Sequence, residues 1–273
     1  MVCGTCLRGA LPLCLIAAAL AVAFPSRARA QFGGYPPPAP PINPRQIAPQ
    51  DFTGYWVSLV TEDWRWRMIT PDKGDYASVP LNSVGKALAD RWDPAKDAAD
   101  GDACKSYGAP ALMRVPTRLH ITWVDDNTLR VDTDAGEQTR LFHFNAVAPA
   151  DSQPSWQGYS VASWEGLKQG GMFRLPTVLG PGGKQERAPE GYLKVVTTHL
   201  RPGYLRKNGV PFSADTVLTE YFDGFTEPNG DKYLVVTSIV TDPKYLTQPF
   251  ITSSHFLKEP NGSKWRPTPC EAR

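Results

Sequence analysis

Beyond its first thirty residues the sequence has no long apolar run, little cysteine and no excess of charge of either sign. It also lacks G-x-S-x-G, a Walker loop, G-x-G-x-x-G and H-E-x-x-H. Each of these spacings positions a nucleophile, a phosphate cradle or a zinc pair, so none of those chemistries has a motif behind it. The near-neutral balance gives no reason to invoke nucleic acid or an anionic membrane as partner.

The first thirty residues differ from the rest. Arg8 precedes an alanine-rich apolar run from Gly9 to Phe24, and the segment closes on Ala28-Arg29-Ala30. That is the small-x-small pattern of a secretory signal cleaved before Gln31. Cleavage leaves no integral membrane segment, since a spanning helix needs about 20 apolar residues. The expected location is periplasmic or secreted. The segment removes three arginines (Arg8, Arg27, Arg29) and no acid; 29 − 3 leaves 26 basic against 27 acidic side chains, a net of −1.

Two cysteines remain, Cys104 and Cys270. In an oxidising compartment a disulfide is the economical reading, the alternative being two free thiols. It would tie the C-terminal tail to the body and contribute about 3–5 kcal/mol on a chain-entropy argument. Neither cysteine has a Cys or His neighbour at metal-ligand spacing. Residues 31–50 are proline-rich with few large apolar groups, an extended linker in character. Residues 51–273 form one stretch without a second linker, enough for a single domain with a substantial core.

The pattern of that domain is mostly period two. Leu119, Ile121 and Trp123 oppose Arg118, His120 and Thr122; Leu129 and Val131 oppose Arg130 and Asp132. Such alternation makes strands with one wet and one dry face. Runs at 52–61, 63–69, 118–124, 127–134, 137–144, 156–164, 192–200, 215–222, 232–242 and 248–257 give about ten strands. In the run 63–69, Trp64, Trp66 and Met68 share one face. A helix is expected from a cap at Asn82 or Ser83 to the stop at Asp93-Pro94, with a weaker signal at 95–104. The predicted class is all-β: an antiparallel up-and-down barrel of about 8–10 strands with one lateral helix, because closure removes exposed edges. A two-sheet sandwich satisfies the same alternation.

Gly54-Tyr55-Trp56, on the first strand after the linker, resembles the G-x-W signature of the lipocalins. Thr241-Asp242-Pro243 loosely resembles that family's T-D-Y motif, and Trp265-Arg266 offers an arginine near the C-terminus. The resemblance implies a calycin-type barrel in which Trp56 plugs the closed end under that arginine. It also implies a hydrophobic ligand in the lumen. The chain departs from the family in its greater length and in the early position of its helix. The blocks WDPAKD, APALMRVP and LRPGYLRKNGVP are similar to those of an uncharacterised family of secreted bacterial proteins, which carries no function.

These readings predict a binding protein for a small hydrophobic or aromatic molecule. The candidate ligand-binding residues are Trp64, Trp66, Met68, Trp123, Arg140, Phe142, Tyr204 and Arg206. Tyr204, Arg206 and Lys207 lie between two turn signals, Pro202-Gly203 and Asn208-Gly209, in a connection suited to holding a carboxylate or phenolate. The alternative is an acid–base enzyme of isomerase, hydratase or cyclase type on the same barrel. Its catalytic pair is Glu220 and His199. Glu220 alternates with Leu218 and Phe222, so its carboxylate faces inward, with Arg140 as a partner. That pair has a purely structural reading as well. His120, His143, His199 and His255 all fall on expected strands without an i, i+4 or His-x-His spacing; a metal or haem site assembled from different strands stays geometrically open, and the reading taken is no metal and no cofactor.

Overall fold

The computed structural model describes residues 43–166 and 191–272. Nine strands close into a barrel in the order β1-β11-β10-β9-β6-β5-β4-β3-β2. They are β1 (Gly54–Leu59), β2 (Arg118–Trp123), β3 (Thr128–Thr133), β4 (Thr139–Phe144), β5 (Tyr159–Glu165), β6 (Tyr192–Thr198), β9 (Val217–Thr226), β10 (Lys232–Thr241) and β11 (Phe250–Glu259). β7 (Gly203–Arg206) and β8 (Val210–Phe212) form a separate hairpin. The sandwich is therefore set aside. The expected signal segment and most of the expected linker, 1–42, lie outside the described residues.

Antiparallel pairing holds around the barrel except between β4 and β5, which run parallel. The cause is the connection 145–158, which returns to the end where β4 began. There the Trp156 carbonyl accepts from Ala109 N–H at 2.9 Å.

The expected lateral helix is present as the second of four short α-helices among the described residues: α1 (Trp64–Arg67), α2 (Ser83–Ala89), α3 (Pro94–Ala99, at the weaker signal) and α4 (Ala109–Leu112), with a 3₁₀ turn at Ala103–Tyr107. Asn82 caps α2 by accepting from Gly85 N–H at 2.9 Å. Asp93-Pro94 both stops the chain after α2 and starts α3, Asp93 accepting from Ala95 and Lys96 N–H with proline in the first turn.

The run 63–69 is a correction. It holds the one-turn helix α1 and no strand, and three alternating apolar residues were too short a period to decide between them. The charged residues settle it. The Arg67 side chain is buried, donates to the Arg114 carbonyl at 2.9 Å and pairs with Glu62. Trp64 and Met68 are left 67% and 59% exposed.

Strand directions place both insertions, 60–117 between β1 and β2 and 199–216 between β6 and β9, at the same end of the barrel. A second core, including Leu200, Leu205, Val210, Phe212, Leu218, Val240 and Phe250, seals that end. The other end is closed by the N-terminal segment and by Trp56, Phe52, Phe144 and Trp164. Gln50 donates to the Gly191 carbonyl and Asp223 and accepts from Gly224 N–H. The described end of the linker is thus packed against the barrel.

The G-x-W stretch has a physical account. Trp56 is buried and donates from Nε1 to the Phe52 carbonyl at 2.8 Å. Lys258 lies over its ring, 4.5 Å from the centroid, and donates to the Thr53 carbonyl. Arg266, expected over Trp56, is exposed; the cation comes from β11 instead. Gly54 has φ +101°, and a Cβ there would lie 3.1 Å from the Lys258 ammonium. Gly54→Ala should therefore lower the unfolding free energy by about 1–3 kcal/mol through backbone strain and displacement of Lys258. Urea denaturation checks this; an unchanged midpoint would show that the strand absorbs the strain.

After β11 the tail runs back outside the barrel. Trp265 meets Tyr55 and His120 edge-on, and Thr268 exchanges backbone hydrogen bonds with Asp134 and Gly136 at 2.9 and 2.8 Å. The tail then reaches the helical end, where Cys270 is bonded to Cys104.

Candidate functional site

The barrel interior is packed with side chains. Leu119, Leu129, Val131, Phe142, Leu193, Val195, Phe222, Leu234, Val236 and Phe256 are all buried in one cluster, with the Phe142 and Phe222 rings edge-to-face at 5.4 Å. Side chains enclosed to this degree pack against one another as a core. The expected hydrophobic lumen exists, but as a core.

Within it lies one buried ion pair. Glu220 Oε1 accepts from Arg140 Nη1 at 3.0 Å and Oε2 from Nη2 at 2.5 Å. Nη2 also reaches Thr197 Oγ1 at 3.1 Å, and Thr197 shares a hydrogen bond with Ser160. The guanidinium lies 4.8 Å from the Phe142 ring centroid, and its Nε has no partner. Both side chains are fully enclosed. A charge pair in this position is held by mutual attraction and by the fork geometry, against a large desolvation cost. It has no route to a substrate.

His199 is not brought to Glu220. It sits at φ 55° just beyond β6, its Nδ1 bonded to Thr198 Oγ1 at 2.9 Å, and no hydrogen bond links it to the carboxylate. The other histidines are likewise separate. His120 stacks on Tyr55 at 4.1 Å, His143 on Tyr159 at 4.8 Å, and His255 bonds Thr61 Oγ1 at 2.7 Å. Burial holds the His143 imidazole below its ordinary pKa, with Asp125 opposing. Among the described residues no three His, Cys, Asp or Glu side chains gather as a metal site.

Open space lies outside the barrel core. A half-open cavity of about 320 Å³ at the helical end is bounded by α1 and the residues after it, by α4 and its continuation to Pro116, by the β7–β8 hairpin and by the C-terminal tail. Trp66, Met68, Tyr107, Val115 and Leu205 supply aromatic and apolar surface. Arg67, Arg114, Arg206 and Lys207 bring cations into the same wall, with Glu271 as its acid.

Those arginines are built in. Arg114 pairs with Asp63 at 2.9 Å and lies 5.6 Å from the Phe250 ring centroid. Arg206 is only 4% exposed, lies 5.0 Å from the Trp66 ring centroid and donates from Nη2 to Ser78 Oγ at 2.8 Å. Burial, with the nearby Arg114 charge adding to it and the Asp63 and Asp75 carboxylates opposing, pulls the Arg206 guanidinium down to about 10. Four of their nitrogens have no hydrogen-bond partner: Arg67 Nη2, Arg114 Nη1, and Arg206 Nε and Nη1.

The sequence-predicted ligand residues divide accordingly. Trp66, Met68 and Arg206 share this cavity. Trp64 stands in solvent, correcting its inward placement. Arg140, Phe142 and Trp123 belong to the barrel core. Tyr204 was expected beside Arg206, but a bulge between them breaks the alternation. Tyr204 faces a neighbouring cavity, its hydroxyl donating to Asp97 at 2.8 Å beside Lys105. Asp242, in the stretch resembling the T-D-Y motif, is a buried cap for the following loop, accepting from Ser213, Thr216, Lys244 and Tyr245.

Sequence reasoning missed Arg67 and Arg114. The signal for Arg114 was present: a charge inside the apolar run Ala111-Leu112-Met113-Arg114-Val115-Pro116, which demands a buried partner or a ligand. Among the described residues no helix is long and apolar enough to cross a membrane. Set against family models, curated proteins and solved structures, the chain finds no match.

Proposed function

We propose that this is an exported binding protein for a small molecule with an aromatic or other apolar body, and that it takes this molecule into the cavity at the helical end of the barrel. One contrast supports the reading: the lumen is packed solid, while a cavity of about 320 Å³ with Trp66, Tyr107, Val115 and Leu205 in its wall opens beside it. Concave space that joins apolar surface to placed polar groups suits small-molecule recognition, and here the polar share of the wall is about as large as the apolar one. The Cys104–Cys270 bond fits an oxidising compartment.

Titration with the uncharged reporter N-phenyl-1-naphthylamine tests the site. Val115→Trp, which fills the wall, is expected to weaken binding about ten-fold or more, and Phe142→Leu, in the barrel core, to leave it within about two-fold. Loss of binding in Phe142→Leu with none in Val115→Trp would return the site to the lumen.

A further inference from the structure

A guanidinium buried without a carboxylate beside it is expensive, because desolvation is not offset by a counter-charge. The cavity holds a group close to this case, since Asp63 and Asp75 act on the Arg206 charge only from beyond ion-pair distance. Arg67 has Glu62, and Arg114 has Asp63. Arg206 has no ion-pair partner among the described residues; a serine hydroxyl and the face of Trp66 are its contacts. Lys207, next in the chain and in the same wall, has its ammonium 4.9 Å from the Tyr107 ring centroid and likewise forms no ion pair. Two cations thus stand on aromatic faces at one side of the cavity, with Arg114 close behind them.

Resting on the binding function proposed above, we infer that the ligand carries an oxyanion, a carboxylate or a phosphate, held by Arg206 and Lys207 while its apolar body lies against Trp66, Leu205 and Val115. The charge of the ligand completes the site: it brings to Arg206 and Lys207 a counter-charge closer than Asp63 and Asp75, neither of which forms an ion pair with Arg206. The aromatic faces under both cations leave their polar edges for the anion. The apolar part then covers the pair and excludes water, which strengthens the contact.

Calorimetric titration with naphthalene-2-carboxylate, 2-naphthyl phosphate and the uncharged naphthalene-2-carboxamide decides the matter. At least one acid is expected to bind about ten-fold or more tightly than the amide, and the tighter of the two identifies the head group. Arg206→Gln and Lys207→Gln should each remove most of that preference. Lys207 is only half-buried, so its variant keeps the test sound if Arg206→Gln fails to fold. Equal binding of acids and amide would overturn the oxyanion while leaving the cavity's binding role intact. Failure of all three, and of N-phenyl-1-naphthylamine, would remove both.

Discussion

Glu220→Gln is expected to lower the unfolding free energy by about 3–5 kcal/mol, because it leaves the Arg140 guanidinium charged, enclosed and without a counter-charge. Arg140→Met should cost a similar amount by stranding the carboxylate. The double variant Arg140→Met/Glu220→Leu should recover most of the loss, since apolar groups of similar volume satisfy this position without desolving two charges. Urea denaturation of the three variants measures the coupling. Additive losses would show that the two residues act independently and that the fork between them contributes little. The same variants bear on function, since neither residue touches the cavity: Arg140→Met/Glu220→Leu should bind the reporter as wild type does.

Breaking the disulfide is the second large effect. Cys104 and Cys270 are 166 residues apart, and constraining so long a loop stabilises the fold by about 3–5 kcal/mol through the unfolded state. It also has a local consequence. Thr268, Pro269 and Glu271 form part of the cavity wall, held by the disulfide and by two backbone hydrogen bonds of Thr268, one donated to Asp134 and one accepted from Gly136. Cys104→Ser/Cys270→Ser should therefore lower the melting temperature and weaken ligand binding about ten-fold even where the protein remains folded. A variant that melts early but binds as wild type would show that the tail is a staple and no part of the site.

Much of the fold was legible in the sequence because strand faces alternate strictly where one side meets a core. Leu119/Ile121, Leu129/Val131 and Leu218/Glu220/Phe222 all point inward as their spacing implied. The buried charge at Glu220 and its partner Arg140 were readable for the same reason. The parallel β4–β5 pair was not, since it depends on where a turn-rich connection returns rather than on any period. The DWRWRM segment misled because Trp64 and Met68 are surface residues, whereas Arg67 is the one enclosed. The cavity was half legible. Arg206 stood out between two turn signals, but its neighbours Trp66 and Arg114 come from segments 140 and 92 residues away, a juxtaposition that only the closure of the barrel end creates. The bulge after Tyr204 was likewise invisible, because it reflects hairpin geometry and leaves no compositional trace.

The most direct measurement is diffraction from crystals grown with naphthalene-2-carboxylate. The account predicts difference density between Trp66 and Leu205, with its carboxylate within hydrogen-bond reach of Arg206, and an unchanged barrel core. Density among Phe142, Phe222 and Phe256, with those rings moved aside, would contradict it.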